Sequence, residues 1–357
     1  MTRLHLVASL GGHLELLQVV APALDGVQRI WLTSEGVAAT RLRDRGERVV
    51  TLPRLDRGSA GLRSVLAGVL LALRERPRVI VTSGAGLAVP FCLTARVLGA
   101  RIVHVETMAR VMTGSSTGRL LAKVADAVLV QWDELRAVYP HAEVCRPALL
   151  EGAGAVRAGG TGTFVTVGSH DQPFDRLLAA VRTAADHGVL PQPVLIQRGV
   201  APAPGGAVKS VDFMPREQFE SAMASAQVVV AHVGAGAVAS SIRSGKRPIV
   251  LARREARGEH VDDHQVQLAR KLDELGLAVL VEDRITAADV EAARQLGAAP
   301  SWDALPASPT GCARSSSIWS RNRDPSGSGD RYATDSGSTH PSGARRVSAA
   351  GHLAPLT

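Results

Sequence analysis

Short aliphatic and β-branched runs return along the chain, each followed by a stretch of helical period. They are LHLVA (residues 4–8), RIWLT (29–33), RVVTL (48–52), RVIVTS (78–83), RIVHVE (101–106) and AVLVQW (127–132). After a Gly- and Ala-rich connector, EGAGAVRAGGTG (151–162), the alternation restarts with TFVTVG (163–168), PVLIQ (193–197), VVVAHVG (228–234), PIVLA (248–252) and LAVLVE (277–282). A chain that alternates strand and helix in this way builds parallel sheets whose crossovers are the helices. The runs are continuously apolar, which strands covered by helices on both faces require. Two doubly wound α/β domains are predicted, residues 1–150 and 163–297, joined by a linker at 151–162. From residue 298 to 357 the texture changes to Ser, Gly, Pro and Arg without a period, a low-complexity tail expected to lack a packed core and given no function.

Length agrees, since 357 residues at about 150 per domain make two domains and a remainder. Hydrophobic residues are 45% of the chain and aromatics only 3%, so the cores must be built from Ala, Val and Leu. That argues against modules that stack bases on aromatic platforms, and nucleic acid is not an expected partner. Cys92, Cys145 and Cys312 are spaced for neither a zinc site nor a disulfide framework, and the N-terminus lacks a signal-peptide pattern. The expected location is the cytoplasm, at the inner face of the cell membrane. Residues 1–157 hold 20 Lys and Arg against 13 Asp and Glu, whereas residues 158–297 hold 15 against 16. The first half thus faces an anionic partner, such as a phospholipid surface or a diphosphate, or else it merely carries a solvated Arg-rich face. The longest apolar run, Val65 to Leu73, is too short to cross a bilayer. With Arg63 before it and Arg74, Arg76 and Arg78 after it, the run reads equally as a monotopic segment or as a buried helix.

The first strand ends in Ser9-Leu10-Gly11-Gly12-His13, glycines in a turn that opens a helix, which by composition is an anion site. The G-x-G-x-x-G dinucleotide spacing is absent. His13 is placed above the carboxyl ends of the strands, where an imidazole can take a proton from a hydroxyl or simply bond the turn. Gly84, Gly86 and Glu106 lie on the same edge, and Glu106 either orients a base, binds a sugar hydroxyl or pairs with Arg110. Ser116 and Arg119 follow in a hydroxyl- and Gly-rich loop. In the second half, Gly168-Ser169-His170 and His232-Val233-Gly234-Ala235-Gly236 close two strands with small-residue turns suited to a diphosphate. Glu259, His260 and His264 lack the H-E-x-x-H order, so no metal site is expected.

These stretches resemble a known pair of families. ASLGGHLELL, TSGAGLAVP and VETMARVMTGSSTGRLLAKVADAVLVQWDELRAVYP resemble the Alg14-like subunit of lipid-linked sugar transferases and its capsule and exopolysaccharide relatives. TFVTVGSHDQPFDRLL and VVVAHVGAGAVASSIRSGKRPIVLARREARGEHVDDHQVQLARKL are similar to the Alg13-like catalytic subunit, a relative of MurG-type glycosyltransferases. The resemblance covers about residues 3–282 and reads as a natural fusion of two subunits. It implies a GT-B fold, two Rossmann-like doubly wound parallel-sheet domains facing a cleft. The first would hold a polyprenyl-diphosphate-linked sugar acceptor and dock on the membrane surface, and the second would bind a UDP-sugar.

Carried over, His13 matches the Gly-Gly-His position that acts as base or binds near the acceptor, and Glu106, from its place on the same strand edge, is assigned beside it as catalytic. Gly168, Ser169, His232, Gly234, Gly236, His264 and Gln265 match donor-binding positions, with Ser241 where relatives carry a ribose-binding carboxylate. Gly11, Gly12, Gly84, Gly86, Ser116 and Arg119 are assigned to the acceptor. The implied reaction is inverting hexosyl transfer without a metal or cofactor, in cell-surface polysaccharide assembly beside other assembly proteins. The departure at Ser241 implies weaker or rearranged ribose binding; with Ala237 in place of a turn threonine and Cys145-Arg146-Pro147-Ala148 in place of a Gly-rich segment, the departures together imply an impaired copy as an alternative. Two alternatives share the plan: a UDP-N-acetylglucosamine 2-epimerase-like enzyme, and a UDP-sugar-binding scaffold for a partner transferase.

Overall fold

The computed structural model describes residues 3–24, 27–53, 59–151, 159–168, 172–206 and 208–295. The tail at 298–357, most of the linker, Ser169 and Cys312 lie outside the described residues. Two parallel sheets carry the fold. The first contains β1 (Leu4–Val7), β2 (Arg29–Thr33), β3 (Arg48–Thr51), β4 (Val79–Thr82), β5 (Arg101–Val105), β6 (Ala127–Val130) and β7 (Glu143–Val144), in the order β3-β2-β1-β4-β5-β6-β7. The second contains β8 (Thr163–Thr166), β9 (Val194–Gln197), β10 (Lys209–Val211), β11 (Val228–His232), β12 (Ile249–Leu251) and β13 (Val279–Leu280), in the order β10-β9-β8-β11-β12-β13. Each sheet reverses direction of growth between its first and fourth strands, the doubly wound pattern that opens a crevice at the carboxyl ends. Register pairs Val7 with Thr82 there in one sheet and Thr166 with Ala231 in the other.

All eleven runs seen in the sequence are strands. The short edge strands β7 and β10 were missed because two or three residues with exposed polar positions carry no apolar run.

The helices of the first half are α1 (Gly12–Val20), α2 (Val37–Asp44), α3 (Ser59–Glu75), α4 (Ala88–Val97) and α5 (Ser116–Ala122). Those of the second are α6 (Asp175–Asp186), α7 (Arg216–Ser225), α8 (Ala235–Arg243), α9 (His264–Glu274) and α10 (Ala287–Arg294). Helix α10 starts with a capping box in which Thr286 and Asp289 satisfy each other's backbone N–H groups. On one face of the first sheet Leu6, Val81 and Val103 pack with Leu14 and Leu17 of α1. On the other, Ile30, Leu32 and Ile80 pack with Phe91, Cys92 and Ala95 of α4. Burying such a leucine is worth roughly 1.5–3 kcal/mol, so the sheets are held from both sides.

The 65–73 segment lies in α3, which has one packed side and one open side. Helix α3 packs on α4 so closely that a methyl at Gly68 would stand 2.9 Å from Pro90 Cγ, and Ser64 and Ala72 are buried on that side. Its opposite side leaves Leu62, Leu66, Leu70 and Leu73 exposed, at 74, 56, 55 and 46%. Among the described residues no helix is long and apolar enough to cross a membrane.

The two halves share an apolar cluster in which Met108, Trp132, Leu149 and Leu150 meet Val238, Ile242, Leu268 and Leu272. Polar contacts surround it. Arg243 donates to the Leu149 carbonyl at 2.6 Å, Gln267 accepts from the Met112 N–H at 3.2 Å, and Lys271 pairs with Glu134.

Candidate functional site

The crevices of the two sheets open onto one cleft, a cavity of about 470 Å³. From the first half its wall takes Gly11, Gly12, Leu14, Glu15 and Gln18 of the α1 turn, with Val37, Arg41 and Arg45 around α2. From the second it takes Thr166, Gly168, Gln197, Phe213, Arg216, His232 and the start of α8, Gly234 to Ala237. Two helix starts without side-chain caps, α1 and α8, thus approach one another, and a methyl on Gly12 would lie 3.9 Å from Ala235 Cβ. Free N–H groups at both starts make the cleft receptive to an anion from either side.

The glycine turns that follow β8 and β11 are adjacent, as parallel pairing of the two strands dictates. Gly168 has φ +85°, and a Cβ there would stand 2.4 Å from His232 Cε1. A Cβ on Gly234 would stand 2.2 Å from His232 Nε2. The imidazole therefore fills the space between two glycine corners, and neither corner can carry a side chain. The Gly168 N–H donates to Thr166 Oγ1 at 3.1 Å, which sets the turn from the strand below.

His13 stands beside this cavity rather than in its wall. Its Nδ1 lies 2.8 Å from the Ser83 carbonyl, and Ser83 Oγ donates to the His13 carbonyl at 3.0 Å. A carbonyl only accepts, so Nδ1 carries the proton and Nε2 is left with the lone pair. Burial pushes the His13 pKa down, against the opposing pull of the Glu106 charge and the Ser83 carbonyl, so the ring is neutral near pH 7 and fit to accept a proton.

Glu106 has a different task from the one its position on the strand edge indicates. It is fully buried, and Oε2 accepts from Tyr139 O–H at 2.7 Å and from the Ser115 N–H and Oγ at 3.1 Å. Oε1 accepts from the Thr107 N–H at 3.1 Å. Burial alone would raise its pKa, but His104, Tyr139 and the Ser115 N–H more than offset this and hold the carboxyl at about 2. With both oxygens occupied, Glu106 is a positioning group that anchors the 113–119 loop and adds negative potential near His13. The same network explains the loop's glycine, since a methyl on Gly118 would meet Glu106 Oε2 at 2.5 Å. Ser115, not Ser116, caps α5, accepting from the Gly118 N–H at 2.9 Å. Ser116 and Arg119 are exposed beside it, with Arg119 Nε donating to the Gly114 carbonyl. Gly84, at φ +91°, packs over Thr117 and His104, and Gly86 follows in the same loop.

Two residues expected at the donor are spent on the protein itself. Ser241 is fully buried, with Oγ 3.5 Å from the Lys246 carbonyl, because its position on α8 faces the core; it has no access to a ribose. Gln265 is also buried and accepts from the Arg253 N–H at 3.1 Å, which makes it a brace for the loop after β12. Ser169 lies outside the described residues. His264 is half-buried, its Nδ1 held by Asp262, whose other oxygen takes Arg110 of the first half at 2.7 Å. Burial lowers the His264 pKa despite Asp262, and Nε2 keeps its lone pair. Burial would raise Asp262, but its bonds to His264 and Arg110 keep it at about 2. His260, Asp262 and His264 place donor atoms within 4.8 Å of one another, a grouping that could hold a metal, although Asp262 already spends both oxygens on protein partners.

Sequence reasoning missed Glu15, Arg41, Arg45, Gln197, Phe213 and Arg216 in the cleft wall. Glu15, Arg41, Arg45 and Arg216 have the type and spacing of ordinary helix surface, and Gln197 and Phe213 carry no signal beyond their closeness to the ends of β9 and β10.

Residues 48–147 match the family described as oligosaccharide biosynthesis protein Alg14 like, and residues 163–293 match the glycosyltransferase family 28 C-terminal domain. The mouse (Mus musculus) UDP-N-acetylglucosamine transferase subunit ALG14 is 38% identical over 76 residues, 20% of this chain and 35% of that protein. Its Candida albicans counterpart is 27% identical over 165 residues, 40% of this chain and 75% of that protein. The chain thus spans about a third of the length of the mouse relative it matches. Among solved structures, Acinetobacter baumannii MurG superposes with a TM-score of 0.58 at 19% identity, covering 81% of this chain and 89% of that one. UDP-GlcNAc 2-epimerase from Methanocaldococcus jannaschii does so with a TM-score of 0.60 at 10% identity, covering 90% and 100%. At these identities the superpositions speak for the GT-B fold alone. In one polypeptide, on a GT-B framework, the chain joins an Alg14-like half to a glycosyltransferase family 28 C-terminal half.

Proposed function

We propose that this protein is a UDP-sugar-dependent hexosyltransferase that extends a polyprenyl-diphosphate-linked sugar at a membrane surface during cell-surface polysaccharide assembly. The observation that carries the reading is the apposition of two glycine-cornered helix starts across one cleft, one on an Alg14-like half and one on a family 28 half. The α8 turn, with Gly168, His232, Gly234 and Gly236, takes the donor diphosphate on backbone N–H groups. His264 Nε2 serves a donor sugar hydroxyl. Gly11, Gly12, Gly84, Gly86, Ser116 and Arg119 lie along the acceptor's approach. The acceptor hydroxyl attacks the anomeric carbon of the donor, the bond from that carbon to the UDP oxygen breaks, and the hydroxyl proton passes to His13 Nε2. Transfer of this kind inverts the anomeric centre and uses protein dipoles where other enzymes use a metal ion.

The exposed leucine stripe of α3, with Arg63, Arg74, Arg76 and Arg78 at its ends, supports docking on an anionic lipid surface, apolar side inward and guanidinium groups among headgroups. Such docking belongs to the inner face of the cell membrane, near other assembly proteins.

The test is UDP release from a panel of UDP-hexoses with a short-chain prenyl-diphosphate monosaccharide. Acceptor-dependent release with at least one donor is expected. Epimerisation without acceptor would select the 2-epimerase alternative, and UDP binding with no turnover would select the scaffold.

A further inference from the structure

A carboxylate of the first half lies on the opening turn of a helix in the second. Glu15, in the first turn of α1, sets Oε2 so close to Gly236 that a methyl there would stand 2.1 Å away. Gly236 is the second residue of α8, whose N-cap Gly234 supplies no side-chain acceptor and whose first i to i−4 bond is Val238 N–H to the Gly234 carbonyl. The N–H groups of Ala235, Gly236 and Ala237 therefore point outward without intrahelical partners. Among the described residues no hydrogen bond or ion pair holds the Glu15 carboxylate. It lines the cleft half-buried at the positive end of α8, where the charge of Arg243 also attracts it. A glutamate in this place puts a negative charge where a phosphate would gain most.

We infer that Glu15 is an affinity-setting residue, a resident competitor for the anion position at α8 that nucleotide diphosphate must displace to bind and that hastens its departure. The inference rests on the reading that α8 takes the donor diphosphate, and it adds what the acceptor half does there. Bound diphosphate and the Glu15 carboxylate carry like charge at close range in a partly desolvated cleft, where repulsion is several-fold stronger than in water.

Calorimetric titration of the full chain with UDP and with uridine, at low and at high salt, tests this. Glu15→Gln, which keeps the shape and removes the charge, is expected to bind UDP about ten-fold more tightly at low salt, with the gain shrinking at high salt and uridine affinity unchanged. Glu15→Asp, which draws the charge back by one methylene, should fall between the two. Equal or weaker UDP binding by Glu15→Gln, or a gain shared by uridine, overturns the inference while leaving the cleft as the nucleotide site. A wild-type chain that binds neither UDP nor uridine overturns the functional reading, and the role of Glu15 with it.

Discussion

The two halves repeat one topology and solve its crevice differently. In the first, the loops at the carboxyl ends are tied by side chains: His13 to Ser83, and Glu106 to Ser115, Tyr139 and Thr107. In the second, the corresponding turns are made of backbone, glycines packed against the one imidazole of His232. Charge follows the same division, with the surplus of Lys and Arg in residues 1–157 and near balance in residues 158–297. The contrast teaches that a doubly wound sheet fixes where a ligand sits but not the means of holding it. A buried carboxylate network makes a rigid platform for a proton acceptor. A run of small residues lets backbone N–H groups come close to an anion.

The largest effect that probes this contrast is on chemistry. His13→Ala should lower turnover by about 10²–10⁴-fold while UDP affinity stays nearly constant, because the imidazole belongs to the tied half and the proposed nucleotide site to the other. Comparable loss of both would erase the division of labour. Because burial depresses the His13 pKa, the acid limb of the rate profile should lie below pH 6.5, with activity falling only as the ring protonates there.

Next in size is the platform. Glu106→Ala strands buried hydrogen-bond donors and should cost about 2–4 kcal/mol in urea unfolding, with UDP binding intact whenever the protein is folded. The sign with pH follows from a carboxyl held at about 2 against its ordinary 4.5. Its stabilisation is complete above pH 4.5 and disappears as pH falls toward 2. A variant as stable as the wild type would show that the network contributes nothing.

Gly234→Ala then tests the backbone-built side. Its methyl would collide with His232, so UDP affinity should drop by about ten-fold or more. The smallest effect is expected at Ser241, where alanine should leave UDP affinity unchanged and stability within about 1 kcal/mol. A clear loss of UDP binding at Ser241→Ala would return that hydroxyl to the donor site.

The sequence by itself determined the alternation of strand and helix, hence two parallel sheets, and it marked the glycine turns at strand ends. These are local matters: short β-branched runs bounded by turn residues favour strands, and glycines at strand ends let the backbone turn sharply. It also identified the α3 segment as apolar with basic ends, although not that one side packs on α4 while the other stays open. What tertiary structure decided was the fate of each polar side chain. Glu106 reads as a strand-end carboxylate and Ser241 as a donor position carried over by resemblance, yet one is spent on Tyr139 and Ser115 and the other faces the core. Glu15 reads as helix surface and ends on a helix from the other half. Such outcomes depend on which elements meet across the cleft, and a pattern of residue types along one chain carries no record of that meeting.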